Sequence, residues 1–542
     1  MIWAKVIDQE RCIGCHACTT ACKSENEVPL GVTRTYVKYV DVGVFPQARR
    51  AFQVTRCNQC DDAPCTAACP YDAIFINPED HSAEKCNFCA HRLDVGLEPA
   101  CVVVCPTEAI LVGDLDDPAS QVARIVHREA VAVRRPEKET RPKLFYRGAH
   151  QATLDPLAAR RPPGGLFSWS QQRGGGEHVV SGHPFQAGHT ARAAPAGRPE
   201  PAGGAEPATP APRPRAGNSA AAAVLAYDVS HSVPWDWRVS LYTLTKGIAA
   251  GVYLVAVLLM ALGRLSATSR VWLFDVPILA GAFLAVTGAL LVWDLEHPAR
   301  FYLIFTRPQW RSWLVRGAFL IAGYAAVLAV HLLAAFAHRP QWTRELIWVG
   351  LPLALLTAVY TAFLFAQAKA RDLWQNPLLP PHLTLQSVLA GAAVLAIAAL
   401  FEPLQPVPLL AILAAAGVLH LAVVAGECTM PHGTAHAHLA TLEMLRGRLR
   451  GWFWAGIALA AAGAALAWAA AATAASGSAT ALAVVAAGHS ASVAAAGAGL
   501  FSAALAETVA VFAGSAAAIL GLAGLLAHEH AYVQAGQSVP LA

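Results

Sequence analysis

The residues with the plainest chemistry are cysteines. Twelve of the thirteen fall between Cys12 and Cys105. Cys12, Cys15, Cys18 and Cys22 follow the spacing Cys-x2-Cys-x2-Cys-x3-Cys, in which three close thiolates wrap one face of an iron–sulfur cubane. Cys86, Cys89, Cys101 and Cys105 form a stretched version of that run, closed by Pro106. In two-cluster ferredoxins the fourth cysteine of each run ligates the other cluster. Crosswise pairing therefore assigns one cluster to Cys12, Cys15, Cys18 and Cys105, and a second to Cys86, Cys89, Cys101 and Cys22. Between the runs, Cys57, Cys60, Cys65 and Cys69, closed by Pro70, have no partner run and supply four thiolates of their own. Twelve thiolates at four per cubane make three [4Fe–4S] clusters.

Structural zinc and disulfides are the competing uses of so many thiols. Zinc sites seldom need triple CxxCxxC runs followed by Cys-Pro. The start MIWAKVIDQERCIGC carries no basic n-region, apolar h-region or twin-arginine pair, so no export signal is expected and the thiols are expected to stay reduced. Cys428, alone outside this region, reads as a small residue of a membrane helix.

The elements that must hold these groups follow from shifts in composition. With 55% apolar and 14% charged residues, part of the chain must lie in lipid. A formal charge of +4, with basic residues spread through loops, gives no support for nucleic-acid binding. Residues 1–145 read as an α+β ferredoxin-like multi-cluster domain, with short β-type runs at Ala51–Thr55 and Ile110–Val112. Residues 146–222, rich in Pro, Gly and Arg, bury too little apolar surface to offset their ordering entropy and read as a disordered tether. Residues 223–542 read as an all-α polytopic membrane domain.

Eight apolar runs are long enough to cross roughly 30 Å of hydrocarbon as helices. They lie near 243–263, 271–293, 313–337, 346–368, 383–401, 407–427, 452–474 and 505–527, with a weaker Ala-rich ninth candidate near 479–500. Trp235, Trp237, Trp272, Trp293, Trp310, Trp313, Trp348, Trp374, Trp452 and Trp454 cluster at the span ends, as interfacial anchors do. Loops on the tether side carry more Lys and Arg (Arg300, Arg307, Arg311, Lys369, Arg371, Arg446, Arg448, Arg450) than those opposite (Arg264, Arg270, Arg339, Arg344). That bias, with the absent export signal, places the cysteine-rich domain on the cytoplasmic side of the inner membrane.

Ionisable groups inside a bilayer are costly, so those present are candidates for proton or quinone chemistry. Asp294, Glu296, His297, Arg300 and Arg316 surround the second inner loop, and Tyr242 and Lys246 begin the first span. Tyr360 and Thr361 lie in the fourth, and His420 and Glu427 end the sixth, ahead of His432. Residues at span ends also simply reach toward water, which is the plainer reading of Glu296, Arg300 and His432.

The segments CNQCDDAPC, ACPYDAIFINPE, KCNFCAHR and PACVVVCPTEA resemble the ferredoxin-type subunit of molybdenum oxidoreductases, the family of polysulfide, NrfC-like and dimethyl sulfoxide reductases. That family usually carries four cysteine runs and four clusters. Here the second run leads straight into a segment resembling the end of the third, so the resemblance implies that the four thiolates of one whole cluster are missing. SLYTLTKGIAAGVYL, DLEHPARFYLIFTRP, SWLVRGAF, YTAFLFAQAK, DLWQNPLLPPHL and HAYVQAGQSVPLA resemble the NrfD-like polysulfide reductase membrane subunits, which have eight or nine spans and no haem. The resemblance implies a quinone site in the first four-helix bundle and carries that role to Tyr242, Lys246, Asp294, His297 and Tyr360.

No CxxCH, P-loop or dinucleotide fingerprint occurs, and few spans hold paired histidines at haem-ligand positions, so haem is not favoured and substrate chemistry is expected on another polypeptide. The expected function is an electron-transfer and quinone-reacting role, relaying electrons between a molybdopterin-type partner and menaquinone or ubiquinone. A proton-translocating module with Asp294, Glu427 and Glu507 in its relay, and a membrane-anchored iron–sulfur sensor, are the alternatives.

Overall fold

In the computed structural model, the described residues are 1–43, 47–63, 65, 69–160, 223–229, 235–295, 298–310, 312–369, 371–487 and 493–539, with the side chains of 478, 480–487 and 493–500 left out. The chain divides into two compact units, Met1–Val233 and Pro234–Val539.

The first unit is built so that its strands deliver cysteines. Strand β1 (Trp3–Asp8) ends just before Cys12, and helix α1 (Ala17–Glu25) carries Cys18 and Cys22 one turn apart on its buried face. Strands β2 (Thr35–Val42) and β3 (Arg49–Arg56) pair antiparallel, Val37 opposite Val54, and β3 ends directly before Cys57. Cys105 precedes β4 (Ile110–Asp114), which pairs antiparallel with β1, Ile7 opposite Ile110. Helix α2 (Gln121–Arg128) buries Val122, Ala123 and Ile125, and Ala4 and Val6 pack with it. Short β5 (Val131–Ala132) and β6 (Leu144–Arg147) complete a four-stranded sheet of order β4-β1-β6-β5, in which β1 and β6 run parallel. The core joins Ile7, Val37, Val54, Ile110, Leu144 and Tyr146 to Cys18 and Cys101, so the thiols are part of the packing.

Gly14 sits inside the first cysteine loop at φ +72, and a Cβ there would meet the Phe52 ring. Only glycine allows the loop to turn this tightly against β3.

Two segments depart from the sequence reading. Residues up to Arg160 belong to the folded unit, because the alternating LFYR of β6 supplies a central strand and Gln151–Leu154 forms a helical turn beneath β2. Beyond residues 161–222, which lie outside the described residues, β7 (Val224–Tyr227) pairs with β2 to make the sheet β3-β2-β7. Its alternation of buried Leu225 and Tyr227 suits a strand, although it lies within the stretch assigned to the membrane domain.

Among its described residues, the second unit holds helices and no strand. Among the described residues, eight helices are long and apolar enough to span a membrane: α3 (Trp237–Ala261), α4 (Val271–Trp293), α5 (Trp313–Phe336), α6 (Ile347–Gln367), α7 (Leu379–Ala398), α8 (Pro406–Thr429), α9 (Arg450–Ala487) and α10 (Val493–Gly536). The ninth, Ala-rich candidate is divided between the end of α9 and the start of α10, with 488–492 outside the described residues. Helices α3 and α7 are 78% and 67% buried over their apolar stretches, against 33% for α4 and α5. They therefore form the centre, and the others present flanks to lipid. Asp236 caps α3, its carboxylate accepting from the Arg238 backbone N–H at 2.8 Å. Trp237, Trp293, Trp348, Trp452 and Trp454 remain exposed at span ends. Trp272 and Trp374, expected as anchors as well, are buried: Trp272 donates to Thr343 at 3.0 Å and Trp374 stacks on Trp235 at 4.6 Å.

The two central helices touch backbone to backbone. A Cβ on Gly251 would collide with the Ser387 carbonyl, and one on Gly391 with the Gly251 backbone. Gly391→Val is expected to push α3 and α7 apart and to cost roughly 1–3 kcal/mol or more, read as a lowered thermal midpoint of the detergent-solubilised chain. An unchanged midpoint would mean that this contact is not essential to the packing.

Candidate functional site

The thiols converge in three neighbourhoods. Burial raises the Cys12 thiol, and Cys105 and Cys15 lie near enough to oppose its ionisation further. Burial likewise pushes Cys18 up to about 12, with Cys12 and Cys15 again among its neighbours. Cys22, raised by burial, faces Cys86 and Cys101, and the Asn26 amide reaches Cys22 Sγ at 3.8 Å and Cys89 Sγ at 3.7 Å. Cys57, pushed up to about 11 by burial, lies near Cys65, which also faces Cys60. Cys69, pushed up to about 12 by burial, faces Cys57. These last four line one cavity of about 390 Å³ together with Tyr71, Lys85 and Phe88. Cys18 lies near Cys101 and Cys57 near Cys86, so the second neighbourhood adjoins both others.

Burial outweighs the nearby Arg56 and Lys85 at Cys18, Cys22 and Cys57, and thiols so placed stay protonated without further positive charge. The donors here suit iron–sulfur clusters, whose metal supplies the missing positive charge and holds each sulfur as a thiolate. The protein adds charge of its own at Cys101. Burial raises that thiol, but Arg56 and Lys5 outweigh it and bring it below the usual thiol range. Arg56 is 1% exposed and donates from Nη1 to Cys101 Sγ at 2.8 Å, with Lys5 Nζ at 3.8 Å. Cysteine spacing gives no hint of Arg56. The available signal was a charged residue closing the uncharged run Ala51–Thr55, immediately before Cys57.

In the membrane unit the structure brings together Tyr242, Lys246 and Tyr360. Lys246, on the buried helix α3, donates from Nζ to the Ala358 carbonyl at 2.7 Å and to Thr361 Oγ1 at 2.8 Å, and its ammonium lies 5.1 Å from the centre of the Tyr360 ring. Tyr360 packs its ring against Gly317, and its hydroxyl is buried beside Thr361. Tyr242 is buried within electrostatic reach of Tyr360, Asp294 and Glu529. Asp294 ends α4 and pairs with Arg238 at 3.6 Å. His297 and Glu296 lie outside the described residues.

Glu529 was not among the sequence candidates. It is 6% exposed, and it lines a cavity of about 10 Å³ with Thr243, Lys246 and Gln386. The sequence reading ended the last span at residue 527, whereas α10 continues to Gly536 and carries Glu529 inside. The HEH triplet was the available signal, since a helix that continues through it must bury some of its charge. Of the proposed relay, Glu427 joins His382, Asp294 pairs with Arg238, and Glu507 is exposed on α10.

Comparison with known proteins agrees with both halves. Residues 227–510 match the family model described as polysulphide reductase, NrfD. The chain belongs to the NrfD family. Residues 7–115 match a 4Fe-4S dicluster domain. This part is similar to a subunit of the tetrathionate reductase of Salmonella typhimurium, 38% identical over 30% of this chain and 78% of that protein. It is also similar to protein NrfC of Escherichia coli, 34% identical over 26% of this chain and 79% of that protein. Thiosulfate reductase electron transfer subunit PhsB of Salmonella typhi is 36% identical over 17% of this chain and 66% of that protein. An NrfD membrane domain and an iron–sulfur electron-transfer domain are thus joined in one polypeptide, which makes the chain an electron relay.

Arg56 contributes positive charge beside Cys101, and such charge next to a cluster favours its reduced form. Arg56→Gln is expected to lower the midpoint potential of one cluster by tens of millivolts in an EPR-monitored redox titration, with Arg56→Lys restoring most of it. Potentials unchanged in both variants would mean that Arg56 serves packing alone.

Proposed function

We propose that this chain carries electrons between a catalytic partner of molybdopterin type and membrane quinone, menaquinone or ubiquinone, through three [4Fe–4S] clusters. Cys12, Cys15, Cys18 and Cys105 hold one cluster, Cys22, Cys86, Cys89 and Cys101 a second, and Cys57, Cys60, Cys65 and Cys69 the third. When bound, such clusters supply one-electron transfer. The relatives' names point to reductases of sulfur oxyanions, tetrathionate and thiosulfate, as the kind of catalytic partner. The arginine-rich loops favour a cytoplasmic position for the iron–sulfur domain at the inner membrane.

The observation that carries the quinone half is the buried lysine. Lys246 sits inside an apolar bundle with a carbonyl, a threonine hydroxyl and Glu529 as its partners. A charge this deep is costly, and its use here is to hold a proton that quinone chemistry takes up or gives back. The cavity beside Lys246 and Glu529 measures about 10 Å³, far smaller than a quinone ring. The headgroup therefore docks beside this pair, with Tyr242, Tyr360 and Asp294 as candidate hydrogen-bonding partners, and protons pass through Lys246 and Glu529.

Anaerobic mixing of the reconstituted chain with a menaquinol analogue tests this. The visible iron–sulfur absorption is expected to bleach, and Lys246→Met to slow bleaching on the order of 10²-fold with iron content unchanged. Failure of the unaltered chain to bleach would refute quinone coupling. Full speed in Lys246→Met would remove the lysine from the proton path.

A further inference from the structure

Among the described residues, the clusters and the Lys246 site leave one group of buried ligating side chains unused. His382 on α7, His420 on α8 and His528 on α10 are 2%, 0% and 3% exposed, and one ring nitrogen from each lies within 4.8 Å of the other two. His382 Nε2 approaches His420 Nδ1 at 2.9 Å, and the His528 ring centre is 5.8 and 5.1 Å from those of His382 and His420. Three helices thus aim three imidazoles at one point in the apolar interior.

Behind them stands a carboxylate. Glu427 lies 3.2 Å from His382 Nδ1 and is itself held by the Asn376 amide at 2.8 Å. A carboxylate there fixes the proton of His382 on Nδ1 and turns its Nε2 lone pair inward, as in carboxylate–histidine–metal sites. His420 Nδ1–H can donate to that lone pair, but His420 Nε2 then has no partner among the described residues, nor has His528 Nδ1. Three neutral imidazoles cannot all satisfy one another in this arrangement. A cation among them would instead accept one lone pair from each ring.

We propose that His382, His420 and His528 bind a divalent transition-metal ion, with Zn²⁺ as the reference ion. Neutral imidazoles are the preferred ligands of such ions, and a tetrahedral site asks for nitrogens about 3.3 Å apart, within the 4.8 Å that bounds the three here. A cavity of about 20 Å³ adjoins His382 and His528, lined also by Gln386, Glu529 and Tyr532. It has room for one water as the fourth ligand. Glu427, paired with His382, offsets part of the ion's charge, which a site in lipid requires.

The test uses the whole chain, purified anaerobically with its clusters intact, stripped with a mild chelator and reloaded with Zn²⁺. Retention of one zinc per chain after gel filtration is expected, falling at least tenfold in the double variant His420→Ala, His528→Ala while iron content stays the same. X-ray absorption at the zinc edge of the unaltered chain is expected to show only nitrogen and oxygen ligands with imidazole scattering, which decides the matter even if the variant fails to fold. Zinc bound through sulfur would assign it to cluster cysteines and overturn the site. No retained zinc, with quinol-linked proton uptake lost in the single variant His420→Ala, would make the triad a proton carrier and overturn it equally.

Discussion

An ionisable group removed from water persists only beside a partner that offsets its charge. This constraint shapes both halves of the chain. Among the described cysteines, burial drives the thiols of Cys18, Cys57 and Cys69 far up, so holding them as thiolates depends on metal. Cys101 is instead brought down by side chains, through Arg56 and Lys5. In the membrane unit, Lys246 is tolerated because Ala358, Thr361 and Glu529 surround it.

The architecture follows from serving those partners. In the N-terminal unit the sheets are small, and the strands end where cysteines begin: β3 runs directly into Cys57 and β1 stops just short of Cys12. Core packing around Ile7, Val37 and Val54 includes Cys18 and Cys101, so loss of metal would loosen the fold as well as the redox function. In the membrane unit, close approach of α3 and α7 at Gly251 and Gly391 makes the rigid centre that fixes Lys246 against α6.

Much of this was legible in the sequence, because its signals are periodic or compositional. Cysteine spacing marked the redox domain, and eight apolar runs marked the spans. What escaped depended on where helices end. An apolar window closes at the first charged residue, so the last span was cut at residue 527 and the fifth begun at 383. His528, Glu529 and His382 were thereby left outside, although α10 and α7 carry them inside. Strand β7 escaped for a different reason, since a four-residue strand so far along the chain from β2 is specified by that partner rather than by local pattern. Arg56 matters only through its contact with Cys101, across 45 residues, which no local motif encodes.

The central claim is that twelve cysteines form three complete ligand sets. Iron and acid-labile sulfide, determined per chain on anaerobically purified protein, test it most directly. The account predicts about twelve of each. A value near eight would show that Cys57, Cys60, Cys65 and Cys69 hold no cubane, and one near sixteen would contradict the assignment of ligands altogether.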